Sequence, residues 1–347
     1  MNLTERAFGA TGDGGVVSCW TLTNCRGMTA QVLTYGAALR ALNVPVPGGF
    51  RDVVLGFDTV AAYEKHHDTA MGGVVGRVAG RIGGAAFSLD GEKHAISPSQ
   101  VPNCLHGGFF GFHRRVWAVR SAGDEGLELS YVSRAGEEGF PGRVEARVRY
   151  VITEDNELSI AYWAETDAPT LLNLTHHGYF NLAGHAAGDV TAHRVKIQAD
   201  SYLELGAGSV PTGRLLDVAG TPFDLRQPTS LGLGLASFHP QILAGRGYDH
   251  CFAVGDEAWT PLRPVAVVET AGVRMTCATT QPGLVFYTAN YLEASDGKGE
   301  AHYCPWAGLC LEAQNWPDAI HHKNFPDSVL RPGKPYRQET RYQFSLC

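Results

Sequence analysis

Glu312 is the residue with the most to offer chemically. It lies in the stretch Leu309-Cys310-Leu311-Glu312-Ala313-Gln314-Asn315-Trp316-Pro317-Asp318. Side chains alternate across a strand, so Leu309, Leu311 and Ala313 share one face, and Cys310, Glu312 and Gln314 the other. A carboxylate among apolar neighbours is desolvated; its charged form is disfavoured and its pKa rises. A glutamate so placed is a useful general base near neutral pH. On the solvated face of an edge strand it would be inert. The polar cluster that follows, Gln314 to Asp318, is an unusual composition for plain sheet and favours a site.

Five other stretches carry more functional groups than sheet alone requires. Gly76-Arg77-Val78-Ala79-Gly80-Arg81-Ile82-Gly83-Gly84 sets two arginines among glycines. That suits a phosphate cradle, neutral hydroxyls or a surface hairpin, and it contains neither a P-loop nor a dinucleotide fingerprint. Asn103-Cys104-Leu105-His106-Gly107-Gly108 puts His106 at the mouth of a glycine turn. In Leu174-Thr175-His176-His177-Gly178-Tyr179-Phe180 the adjacent histidines point to opposite faces of a strand, so only one of them enters any given site. Asp249 lies beside aromatics in Gly247-Tyr248-Asp249-His250-Cys251-Phe252. Gln281 sits at a turn in Thr279-Thr280-Gln281-Pro282-Gly283. None of the histidine pairs, including His66-His67 and His321-His322, has zinc-site spacing, and no metal is expected. His66-His67-Asp68 and His321-His322 read as surface or loop residues.

The elements that must position these groups are strands. The chain has 347 residues, 44% hydrophobic and 18% charged, the profile of a globular protein with a sizeable core. Its 42 glycines and 18 prolines favour many short strands over long helices. Val144-Glu145-Ala146-Arg147-Val148-Arg149-Tyr150 alternates strictly and joins Leu158-Ser159-Ile160-Ala161-Tyr162-Trp163 as a hairpin. Val265 to Val268 turns at Ala271-Gly272 into Val273 to Cys277. Val17 to Leu22 and Ala30 to Tyr35 are a further pair, and Thr59 to His67 is a helical turn. No linker or repeat divides the chain, so a single all-β domain over 1–347, a large antiparallel β-sandwich, is expected.

Charge excludes other classes. A net charge of −7 leaves no basic footprint for nucleic acid or an anionic membrane surface. The N-terminus has no signal-peptide pattern, and no apolar run approaches the roughly 20 residues that span a bilayer. Eight cysteines without a Cys-x-x-Cys pair read as buried thiols in a reducing, cytoplasmic setting.

Seven motifs, in order along almost the whole chain, resemble those of the aldose 1-epimerases (galactose mutarotases). They are Gly-Arg-Val-Ala-Gly-Arg-Ile (76–82), Leu-His-Gly-Gly (105–108), Glu-Gly-Phe-Pro-Gly (138–142), Asn-Leu-Thr-His-His-Gly-Tyr-Phe-Asn-Leu (173–182), Tyr-Asp-His (248–250), Thr-Thr-Gln-Pro-Gly (279–283) and Leu-Glu-Ala-Gln-Asn-Trp-Pro-Asp-Ala (311–319). The resemblance implies a mutarotase-like supersandwich with an open sugar cleft and no cofactor. It makes Glu312 the base and His177 the acid, with Arg81, His106, Asp249 and Gln281 holding sugar hydroxyls. The implied partner is a monosaccharide such as galactose or glucose, and the chain is a monomer or homodimer. Gly80 stands where the family commonly has Asn. His176 and Gly178 replace the usual Asn before, and Ser or Thr after, the catalytic histidine. The preferred aldose is therefore open.

The residue inventory suits that reaction. Interconverting anomers needs one base for the C1 hydroxyl and one acid for the ring oxygen, with roles exchanged on closure; Glu312 as carboxylate and a protonated His177 supply them. Tyr179, Phe180 and Trp316 are candidate platforms for the sugar's apolar face. A glycoside hydrolase would use Asp249 and Glu312 but would not need His177. A sugar-binding or sugar-sensing module would dispense with the acid or the base. An NAD-dependent epimerase would need a fingerprint that is missing. A mutarotase for sugar phosphates would draw on Arg77, Arg81, Arg114 and Arg115.

Overall fold

Period-two alternation carries the chain into three main antiparallel sheets. The computed structural model describes residues 1–257, 260–293 and 295–347. A five-stranded meander runs in sequence order through Asn2–Ala10, Val16–Thr23, Thr29–Leu33, Leu39–Val46 and Gly49–Asp52. A nine-stranded sheet has Tyr336–Leu346 at its centre, between Glu157–Thr166 and Val273–Thr279. A second five-stranded sheet orders Pro211–Asp217, Ser201–Leu205, Asp249–Ala253, Gly283–Tyr287 and Cys310–Gln314.

One hydrophobic core joins all three. Leu22, Val32 and Leu42 come from the meander, Val144, Val148, Tyr150 and Tyr342 from the long sheet, and Leu284, Phe286, Leu311 and Ala313 from the third. Burying such side chains contributes roughly 1.5–3 kcal/mol each relative to exposure. The expected all-β sandwich is what forms, and among the described residues helix is confined to short pieces. Val60–Lys65 is capped by the Thr59 hydroxyl, which accepts from the Ala62 amide at 3.1 Å.

The expected hairpins lie where alternation placed them. Val144–Ile152 pairs with Glu157–Thr166, and Arg263–Thr270 with Val273–Thr279. The second turns through Ala271 and Gly272 at φ +50° and +79°, the left-handed pair that matches strand twist. The strand expected over Ala30 to Tyr35 stops at Leu33, because the chain turns left-handed at Gly36 and Ala37. Among the described residues no helix is long and apolar enough to cross a membrane.

Candidate active site

Cys310–Gln314 is the last strand of its sheet, yet every residue in it is buried. Its free edge is laced by the segment 173–180. The Phe180 amide donates to the Leu309 carbonyl at 2.7 Å and the Leu309 amide returns a bond at 2.8 Å. The Thr175 hydroxyl donates to the Ala313 carbonyl at 2.9 Å, and the Asn315 amide to Asn173 Oδ1 at 2.8 Å. This lacing closes the edge and carries His177 to Glu312. The carboxylate is only 3% exposed, so it does not lie on a solvated face.

Alternation then sorts the two histidines. His176 turns into the core against Tyr150 and Tyr342, with neither ring nitrogen partnered. His177 turns into a cavity of about 490 Å³, within the ~300–1,000 Å³ range of small-molecule sites. Its Nε2 lies 3.6 Å from Glu312 Oε1. Its ring stacks on Tyr179 at 4.9 Å, and His106 meets it edge-on at 5.4 Å. Behind it, the Cys310 thiol lies 3.6 Å from Nδ1. Burial keeps that thiol protonated, so it can donate to Nδ1 in the tautomer that carries the ring proton on Nε2, facing Glu312.

The opposite wall comes from the short pairing of Arg81–Ile82 with Cys104–Leu105. Arg81 Nε donates to Gln100 Oε1 at 2.6 Å, and its Nη1 lies 3.8 Å from Asp249 Oδ2. His106 sits at φ +52°, fixed by its amide on the Gly80 carbonyl at 3.0 Å and by the Gly80 amide on its Nδ1 at 3.3 Å. Its Nε2 is thereby the free donor. Asp249 begins its strand opposite Tyr287, so its carboxylate meets the cavity beside Arg81.

Electrostatics in the cavity are dominated by desolvation. Burial, then the Asp249 charge, push the Glu312 carboxyl well above the usual range, against the pull of Arg81. Burial pushes Asp249 up to about 6, and Arg81 opposes it. Burial lowers His177 to about 4. Burial works against both the protonated His177 and the Glu312 carboxylate expected from the sequence, because it disfavours each charged form. At 3.6 Å the pair makes no short bond to offset the cost of burying two charges. Glu312-COOH with neutral His177, and Glu312 carboxylate with imidazolium, hold the same number of protons. The pair titrates as a unit.

Five of the six sequence candidates thus converge: Arg81, His106, His177, Asp249 and Glu312 line the cavity. Gln281 does not. It is 1% exposed in the turn before Gly283–Tyr287, its backbone carbonyl accepts from Arg263 at 3.0 Å, and its side-chain Nε2 is buried without a hydrogen-bond partner. Of the platform candidates only Tyr179 faces the cavity. Phe180 packs in the core on Tyr342, and the Trp316 indole donates to the Pro282 carbonyl at 3.1 Å and packs on Phe325. Alternation accounts for Phe180, which follows Tyr179 onto the other face.

The cluster of cations that would serve a sugar phosphate does not form either. Arg77 is a buried brace that donates to Ser133 Oγ at 2.8 Å and to the carbonyls of Arg134 and Pro141 at 2.7 and 2.8 Å. Arg114 and Arg115 turn away to the Phe109 and Phe110 carbonyls. Residues lining the cavity that the sequence did not put forward as site candidates include Gln100, Tyr287, Tyr291 and Gln314, together with Asp68, which was expected on the surface or in a loop. Gln314 alone had a signal, since it shares the Glu312 face. Among the described residues no group of three His, Cys, Asp or Glu side chains is placed to hold a metal ion.

The sequence profile described as Aldose 1-epimerase matches residues 18–343. The chain belongs to the aldose 1-epimerase family. It is 37% identical to the galactose mutarotase of Rattus norvegicus, with 100% of both chains covered. It is also 37% identical to the aldose 1-epimerase of Escherichia coli strain K12, with 96% of each covered. Among solved structures, the GalM/aldose epimerase homologue from C. elegans superposes with a TM-score of 0.86 at 31% identity, covering 94% of this chain and 98% of that one. The galactose 1-epimerase from Lactobacillus acidophilus gives 0.87 at 26%, covering 100% and 99%. As a member of this family the chain is an isomerase acting on carbohydrates, an aldose 1-epimerase.

Proposed function

We propose that the chain interconverts the α and β anomers of a free aldose such as D-galactose or D-glucose, with Glu312 as base and His177 as acid. The observation that carries this reading is the pair itself: Nε2 and Oε1 lie 3.6 Å apart and both face a cavity of monosaccharide size. Bound sugar lies with the C1 hydroxyl at Glu312 and the ring oxygen at His177. The Glu312 carboxylate takes the proton from the C1 hydroxyl, the C1–O5 bond breaks, and His177 Nε2 delivers its proton to O5. That leaves an open-chain aldehyde, Glu312-COOH and neutral imidazole, the uncharged pair that burial favours. Rotation about C1–C2 presents the other carbonyl face, and the reverse transfers close the ring. Each of the two groups contributes on the order of 10²–10⁴ in rate.

The remaining roles follow from chemistry. Arg81 and neutral His106 donate to sugar hydroxyls, Asp249 accepts from them, and Tyr179 supports an apolar face. Eight free thiols support a reducing, cytoplasmic compartment. The test is polarimetry of freshly dissolved α-D-galactose and α-D-glucose. Rotation should reach its equilibrium value faster with the enzyme, and at the spontaneous rate with Glu312→Gln. Full activity in that variant would remove Glu312 as the base.

A further inference from the structure

Gln314 is a buried amide with nothing to bind. Its side chain is 0% exposed, and neither its carbonyl oxygen nor its amide nitrogen has a hydrogen-bond partner. Such a group costs about 1–3 kcal/mol when left unmade, so it is retained against a stability penalty. It does not face the core. It shares the cavity face of its strand with Glu312 and lines the same wall.

Gly80 explains why this amide stands alone. Position 80 is left-handed at φ +74°, and a Cβ built there would meet Pro317 Cβ at 2.9 Å. A side chain at 80 is excluded unless Pro317 moves. The Gln314 amide nitrogen lies 3.7 Å from where that Cβ would be, so the polar function of this patch of wall falls to Gln314.

We propose that Gln314 is a specificity-determining residue whose amide, closed to solvent in this structure, rotates about its side-chain torsions to hydrogen-bond a sugar hydroxyl on the C3–C4 edge of the ring. The inference rests on the placement of C1 at Glu312 and O5 at His177. Two residues along a strand are about 6.6 Å apart, so an amide at 314 reaches the far side of a ring anchored at 312. The ring bond opposite C1–O5 is C3–C4. The amide offers one donor pair and one acceptor, which a hydroxyl satisfies in either sense. Galactose and glucose differ only in configuration at C4, so a contact at the C4 hydroxyl ranks the two, whereas one at C3 holds both alike.

The experiment compares the full chain with Gln314→Met, similar in length but apolar, on galactose and its 2-, 3-, 4- and 6-deoxy analogues. The variant should lose roughly 10–100-fold in kcat/KM on galactose and on the 2- and 6-deoxy sugars. On the 3-deoxy or the 4-deoxy sugar, whichever lacks the partnered hydroxyl, it should match the wild type within about threefold. Its Tm should be unchanged or raised, because an unpartnered buried amide has been removed. An equal loss on every analogue, no loss on any, a lowered Tm or a failure to fold would each overturn the proposal. Glu312→Gln, run in parallel, separates this from the acid–base assignment. If that variant turns over galactose at the wild-type rate, the mechanism fails rather than the contact.

Discussion

Val144–Ile152 and Cys310–Gln314 are written in the same code and end in opposite environments. Both alternate apolar and polar residues, and both bury the apolar set in the shared core. On the first, Glu145, Arg147 and Arg149 point outward and find partners in solvent: Arg147 holds Glu145 at 2.9 Å and Arg149 holds Glu128 at 2.8 Å. On the second, Glu312 and Gln314 point into a cavity closed by another segment. Glu312 has only a long approach to His177, and Gln314 has no partner at all. Arginine beside Glu145 holds that carboxyl below its ordinary range, whereas burial lifts Glu312 above it. Strand position is the same, and the covering decides whether a carboxylate is solvated surface or a desolvated base.

That contrast can be broken most severely at the cavity. Replacing His177 with Asn keeps the size of the side chain roughly in place and removes the acid, so kcat should fall by about 10²–10⁴ while Tm holds. Stopped-flow polarimetry on galactose measures it, and a fall confined to KM would contradict the assignment.

A medium effect separates the titrating groups. The active pair carries one proton, so it is lost below about 4 as His177 takes a second, and lost on the alkaline side as the raised Glu312 gives up the shared one. Asp249 protonates near 6 and should weaken sugar binding below that point. The acid limb of kcat/KM should therefore have two steps, and Asp249→Asn should erase the one near 6 while leaving the one near 4. A single step at an ordinary histidine value, with or without Asp249, would contradict the desolvated site.

The smallest effect belongs to the outer strand face. Glu145→Gln breaks a partly exposed pair, and the expected change in stability is within about 1 kcal/mol with no change in turnover. Urea unfolding beside a polarimetric rate is sufficient to check both, and a loss of activity would mean the outer face reaches the site.

Much of this was legible before any fold was known. Alternation located the hairpins at 144–163 and 265–277, sent His176 and His177 to opposite faces and set Glu312 with Gln314. These are local properties, because the side-chain period of a strand is built into its backbone. Arg77 and Arg81 show the limit. Four residues apart in one glycine-rich stretch, they looked equivalent, yet one is a brace clamped by Ser133, Arg134 and Pro141 and the other reaches Asp249.

The sequence by itself determined the class of fold and the family and singled out the two residues proposed as the acid–base pair, because period and motif order are carried by neighbours along the chain. Only the tertiary structure decided that the 173–180 segment seals the strand edge, that Gln314 lines the cavity while Gln281 and Trp316 do not, and that burial raises the Glu312 carboxyl. Each of those depends on which distant segment displaces water from a given side chain, and desolvation is a property of the packed molecule.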